Sequence, residues 1–95
     1  MRTIVYSTQY KKDRKKAAQR NLPIDKLESV IQKLQNDIPL GIENRDHALT
    51  GNFSTCRECH ILPDWLLIYR KIGKDNDTIQ LLNLVRLGSH SDLFK

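Results

Sequence analysis

The sequence predicts an α+β fold in which a small antiparallel sheet packs one face on two helices, in the order β-α-α-β-β-β. Three features carry that expectation. An apolar stripe of helical period runs from Leu27 to Ile38, strand-like segments separated by turn formers occupy residues 55–87, and the β-branched segment TIVYS stands near the start. With 95 residues, a single domain spanning 1–95 around one modest core is expected.

Thr3 to Ser7 is β-branched and aromatic, and reads as a strand. The Ser7 hydroxyl can accept a free backbone N–H of a following first turn, so a helix is expected from Thr8 to Arg20. Its apolar face is thin (Tyr10, Ala17 and Ala18), so it must borrow stability from packing elsewhere, and Asn21 to Pro23 break it. In the next segment Asp25 and Glu28 have the spacing of a capping box. Leu27, Val30, Ile31, Leu34 and Ile38 then form one helical stripe, which Pro39 ends, and that helix reads as a core element. Residues 40–54 form a long polar connection containing His47, and loops of this length tend to be functional or disordered. Thr55 to Leu62 and Trp65 to Ile72 are strands joined as a hairpin by the turn formers Pro63 and Asp64. Gly73 to Asp77 is a second turn, Thr78 to Leu87 a mostly apolar interior strand, and SHSDLFK a short tail after Gly88. No element is left to cover the second face of the sheet, which is expected to lie open beside basic residues.

Sixteen Lys and Arg against eleven Asp and Glu leave a formal charge of +5. The excess is concentrated in KKDRKKAAQR, Lys11 to Arg20, with six basic residues and one acid. Such a run is either a solvated helix face or an electrostatic footprint for nucleic acid or an acidic protein. No apolar run approaches the roughly 20 residues needed to cross a bilayer. MRTIVYSTQYKKD has neither the apolar segment nor the small-residue cleavage site of a secretory signal, so a cytoplasmic protein with no membrane partner is expected.

The stretch CRECHILPDWLLIYR, Cys56 to Arg70, holds most of the candidate chemistry. Cys-x-x-Cys can be half of a zinc site or a redox pair. Zinc needs about four ligands, and there is only one such pair. On a regular strand Cys56 and Cys59 point to opposite faces, and a redox pair usually sits at a helix start. The cysteines therefore read as small reduced core groups, and neither a metal nor another cofactor is expected. The three histidines, His47, His60 and His90, lie in a loop, at a strand end and in the tail. Imidazole is the side chain suited to proton transfer in both directions near neutrality, and Asp64 can orient an imidazole or exchange a proton itself.

RNA cleavage by the ribose 2′-OH requires a base, an acid and cations to hold the charge that builds on phosphorus. His47, His60, His90 and Asp64 can serve the protons, and Arg57 and Arg86 the charge. Trp65 and Phe94 can stack on a base, although Trp65 can equally pack against the sheet. Arg57 and His60 diverge on a regular strand, so Arg57 is open to a structural role, pairing with a Glu or the C-terminal carboxylate.

Four segments, YSTQYKKDRK, DHALTG, RECHILPDWLLIYR and LVRLGSHSDLF, in this order and at this spacing, resemble the YafQ branch of the RelE/ParE superfamily, toxins of type II toxin-antitoxin systems. The resemblance covers nearly the whole chain. It implies a RelE-like fold and a metal-independent, ribosome-dependent endoribonuclease that cleaves messenger RNA in the A site. It also implies neutralisation by a cognate antitoxin in a heterotetramer or larger complex, with operator DNA reached only through that antitoxin. The family's functional histidines fall on His47, His60 and His90, with His90 the leading proton-transfer group. Its aspartate falls on Asp64, its tryptophan on Trp65 and its aromatic tail residue on Phe94. Arg86 is then expected to contact phosphate, and Lys11, Lys12 and Lys15 of the basic helix to contact RNA. Two other classes compete. One is a binding module of the same fold acting on a protein, as ParE-like members act on DNA gyrase, and the histidine set argues against it. The other is a DNA-binding regulator built on the basic helix, yet no helix-turn-helix follows from QRNLPID.

Overall fold

Ser7 ends the first strand and starts the first helix in one step. In the computed structural model, which describes residues 1–74 and 76–94, strand β1 (Thr3–Tyr6) runs into helix α1 (Thr8–Gln19). The Ser7 hydroxyl oxygen accepts the Tyr10 N–H at 2.9 Å and donates its own proton to the Val85 carbonyl at 2.7 Å. One side chain thus satisfies a free N–H of the first turn and ties the helix start to the sheet. Tyr10 and Ala17 are the buried residues of α1, while Ala18 is exposed.

Helix α2 (Ile24–Gln35) buries Leu27, Val30, Ile31 and Leu34. It departs from the sequence expectation at both ends. Pro23, which has no side-chain acceptor, takes the cap position, so Asp25 lies inside the first turn and the expected capping box does not close. A negative charge there still suits the positive end of the helix. Glu28 instead accepts from Arg14 of α1 at 3.1 Å. At the other end the chain leaves the helix after Gln35 and turns left-handed at Asp37, with φ of 54°. The Asp37 carboxylate is held there by the buried Arg2 and by Lys71, each at 2.8 Å, which also keeps it below the usual carboxylate range. Ile38 therefore leaves the stripe and is 50% exposed.

The sheet has five strands in the order β1-β5-β4-β3-β2, where β2 is His47–Ala48, β3 Arg57–Leu62, β4 Trp65–Ile72 and β5 Leu81–Gly88. Neighbours from β2 to β5 are antiparallel, but β1 runs parallel to β5. The sheet is mixed rather than wholly antiparallel because the two helices carry the chain from β1 to β2 at the opposite edge, and three antiparallel steps then bring β5 back beside β1 in the same direction. No tight turn can join a parallel pair, so the connection between β1 and β5 must be long. The fifth strand, β2, lies in the polar connection and is too short to show any periodicity. Strand β5 starts at Leu81 rather than Thr78, leaving Ile79 64% exposed. The expected turn at 73–77 contains residue 75, and the expected tail ends at residue 95; both lie outside the described residues.

The helices pack Tyr10, Ala17, Leu27, Val30, Ile31 and Leu34 against one face of the sheet to form the main core. The second face is not open as expected. Leu49 and Phe53 of the 40–54 connection and Leu93 of α3 (His90–Leu93) cover Cys56, Leu66 and Ile68 there. The predicted tail is thus a short helix. Ser89 caps it and Asp92 returns the bond to the Ser89 N–H. Gly88 makes the corner possible: a Cβ at this position would stand 3.0 Å from Cβ of Asp92, so a side chain would push α3 away from the sheet. Cys56 and Cys59 are free thiols, buried on opposite faces in separate clusters, and burial pushes the Cys59 thiol pKa up. Among the described residues no helix is long and apolar enough to cross a membrane.

Candidate active site

The pairing of β2 with β3 sets His47 directly opposite Glu58. Two anchors hold the connection that carries His47. The buried Asn44 donates its side-chain N–H to the His60 carbonyl at 2.8 Å. Asp46 accepts from Arg57 Nε at 3.1 Å and from the Tyr69 hydroxyl. Arg57 therefore has a structural partner among the described residues, Asp46 rather than a Glu; the chain terminus lies outside them. Glu58 and His60 stand two apart on β3 and share the face that looks toward His47.

Glu58 is 3% exposed, and its Oε1 lies 3.5 Å from Nε2 of His60 and 3.6 Å from Nε2 of His47. Nδ1 of His47 faces the Arg45 carbonyl at 2.6 Å, and Nδ1 of His60 faces the Pro63 carbonyl at 3.2 Å. A carbonyl can only accept, so both rings carry a proton on Nδ1 and turn Nε2 toward the buried carboxylate.

His90 is placed by the Gly88 corner and by Asp64. Its ring Nδ1 lies 2.8 Å from Asp64 Oδ1, and its backbone N–H donates to the same oxygen at 3.1 Å. That backbone bond and then the imidazole bond hold the Asp64 carboxyl below the usual carboxylate range. The ring centroids of His47 and His60 are 6.4 Å apart, and those of His60 and His90 5.8 Å. Phe94 lies 6.3 Å from the His90 ring, meets Phe53 edge-on, and remains 45% exposed. The fold thus brings together His47, His60, His90, Asp64 and Phe94, which are far apart in the chain.

Other candidates lie elsewhere. Trp65 is 3% exposed within the main core and offers no open face for stacking. Arg86 bonds Asp13 of α1 at 2.8 Å, and the same carboxylate accepts the Leu87 N–H at 3.0 Å. Lys11, Lys12 and Lys15 are all exposed on α1, but Lys12 is the one of these three that lines a cavity of about 470 Å³ between α1, the β3–β4 turn and the β5–α3 corner.

Residues 2–95 match the family described as bacterial toxin of type II toxin-antitoxin system, YafQ. The chain belongs to the YafQ toxin family. It is 39% identical to the mRNA interferase toxin YafQ of Escherichia coli strain K12 over 98% of this chain and 96% of that one. It superposes on YafQ in the E. coli DinJ-YafQ toxin-antitoxin complex with a TM-score of 0.85 and 39% identity, covering 99% of this chain and 98% of that one. A metal-bound toxin from Helicobacter pylori gives a TM-score of 0.87 at 39% identity, with 99% and 100% covered. The α+β architecture with a mixed five-stranded sheet is therefore the YafQ fold.

In this YafQ-family chain the sequence reading overlooked three groups. Glu58 escaped notice although its distance of two from His60 on a strand puts both on one face. Lys16 and Arg20 belong to the basic run already singled out, but not named among its RNA contacts; they follow Lys12 at intervals of four to the C-cap of α1 and line the cavity with it, a helical spacing legible in the sequence. Among the described residues, Glu58, His60 and His90 each offer one ligand atom within 4.8 Å of the others, a donor set suited to zinc or copper.

Proposed function

We propose that this chain is an endoribonuclease toxin, an mRNA interferase that cleaves messenger RNA in the ribosomal A site, blocks translation, and is held inactive by a cognate antitoxin. The observation that carries this reading is the row of three imidazoles, 6.4 and 5.8 Å apart, whose outermost member, His90, is locked by Asp64. Family membership and the names of its relatives support it: E. coli YafQ is an mRNA interferase, and it forms a complex with DinJ.

In the reaction the ribose 2′ oxygen attacks phosphorus. A 2′-O–P bond forms and the P–O5′ bond breaks, leaving a 2′,3′-cyclic phosphate and a 5′-hydroxyl end. A neutral imidazole takes the 2′ proton and a protonated one delivers a proton to O5′. His90 is the leading group, since Asp64 fixes its Nδ1 and leaves Nε2 to the substrate. His47 or His60, set on either side of Glu58, completes the pair. These side chains can perform both proton transfers without a metal ion. Phe94 offers its exposed ring to a base beside His90. The basic face of α1, with Lys11, Lys12 and Lys15, draws the toxin to ribosomal RNA and presents a surface for an acidic antitoxin segment. The assembly is a heterotetramer or larger, it reaches operator DNA through the antitoxin, and it acts in the cytoplasm, where translation takes place.

Primer extension on a translating messenger RNA tests this reading. Wild-type toxin should cut within codons, and His90→Ala should lose those cuts while remaining folded. Undiminished cutting by His90→Ala would reject the assignment of that residue. Arrested growth without any cuts by the wild type would reject the nuclease and favour a protein target such as gyrase.

A further inference from the structure

A cavity shares Asp64 with the imidazole row. Its cationic rim comes from one face of α1, where Lys12 and Lys16 stand four apart, and from Arg20 at the C-cap four residues on. Its apolar lining comes from Leu22, Leu62, Trp65 and Leu87. The carboxylates in its wall are turned into contacts of the fold: Asp13 takes Arg86, Asp64 takes His90, and Asp92 takes the Ser89 N–H and, at 3.8 Å, Arg20. Among the described residues Lys12 and Lys16 make no ion pair, so their charge faces outward over the opening. At about 470 Å³ the cavity lies in the range of roughly 300–1,000 Å³ found for small-molecule sites.

We infer that this cavity is a nucleotide subsite that seats one base and its phosphate next to the cleaved linkage. The inference rests on the RNA-cleavage reading. Asp64 connects the two places, since one side of it holds the His90 ring and the other lines the cavity. A strand whose reacting phosphate lies against His90 has its neighbouring nucleotide at the cavity mouth. There the base enters against the leucines and the phosphate meets Lys12 and Lys16. An acidic peptide would also answer the rim charge, but it has no reason to begin beside the proton-transfer groups. The apolar lining next to cationic side chains, sharing Asp64 with His90, favours a base with its phosphate.

Trp65 is the only tryptophan in the chain and it lines the cavity, so its fluorescence reports occupancy directly. The probe is a non-cleavable 2′-O-methyl RNA oligonucleotide titrated into the full-length toxin, read apart from any cleavage. Saturable change in Trp65 emission is expected. Lys12→Glu with Lys16→Glu should weaken binding at least tenfold, and Lys12→Arg with Lys16→Arg should retain it, with circular dichroism checking the fold. Lys26→Glu with Lys33→Glu makes the same change of charge on exposed positions of α2 that do not line the cavity, and should weaken binding much less. Equal weakening by both glutamate pairs would mean general attraction and overturn the subsite. So would an emission change with an acidic peptide but none with RNA. A wild type that cuts messenger RNA but shows no Trp65 response would overturn the subsite while leaving the cleavage reading intact. A Trp65 response without any cutting would remove the cleavage reading and leave an RNA-binding pocket.

Discussion

Oδ1 of Asp64 receives both the backbone N–H of His90, at 3.1 Å, and its imidazole Nδ1, at 2.8 Å. One oxygen therefore fixes the position of the residue and the rotation of its ring. The bond at Nδ1 also decides which nitrogen is left over, and that is Nε2. The arrangement joins the β3–β4 turn to α3.

Asp64→Ala should therefore disable the toxin without unfolding it. A loss on the order of 10²-fold in cleavage is expected from a misaligned His90. The thermal midpoint should barely move, because the Asp64 side chain is 67% exposed. Full cleavage by this variant in a primer-extension assay would show that His90 needs no such support.

The same contact predicts a pH dependence. The Asp64 pKa is depressed in the folded protein by the backbone N–H of His90 and then by its ring. A depressed carboxyl adds stability that is complete above its unfolded pKa of about 3.9 and is lost as pH falls through the lower folded value. The Asp64 contribution should hence stay constant across neutral pH and vanish only in acid. Comparing acid unfolding of wild type with Asp64→Asn measures it, and the two curves should converge at the acid end.

Glu58→Gln should lower cleavage by roughly 10²-fold through misplacement of His47 and His60. Glutamine keeps the volume and one acceptor oxygen, so the variant is expected to fold. Leu and Ala at this buried position would instead confuse the loss of the carboxylate with repacking or a void. In nuclear magnetic resonance spectra at one pH, Glu58→Gln should move the imidazole resonances of His47 and His60, whose Nε2 atoms face Glu58.

The donors Glu58, His60 and His90 predict inhibition by soft divalent ions. An ion bound there would occupy nitrogens that the proposed proton transfers need. Added zinc or copper should suppress cleavage and EDTA should restore it, whereas EDTA alone should leave an unloaded toxin active. Cleavage stimulated by zinc in a dose-dependent way would reverse the proposed chemistry.

Ser7→Ala should cost about 1–2 kcal/mol of stability, since the cap to Tyr10 is lost and the Val85 carbonyl loses a donor. Urea denaturation should show a lower midpoint with an unchanged slope. Cleavage at a temperature where the variant is folded should remain close to wild type, because Ser7 lies outside the imidazole row.

Elements whose physics is local were legible in the residues alone. The α2 stripe of Leu27, Val30, Ile31 and Leu34, the Ser7 cap, the hairpin across Pro63 and Asp64, and the opposed cysteines all follow from period or parity over a few positions. The histidines and Asp64 could be picked out by residue type, and the fold brings them together. The parallel pairing of β1 with β5, the short strand at His47 and the folding back of residues 90–93 were not legible. Each depends on contacts between segments far apart in the chain, for which a single sequence holds no periodic signal. The tertiary structure alone placed Glu58 between two histidines, engaged Arg86 with Asp13, buried Trp65 and opened a cavity behind Asp64. Side-chain type is written in the sequence, but distance, burial and which atom faces which are set only when the sheet and helices close around a common core.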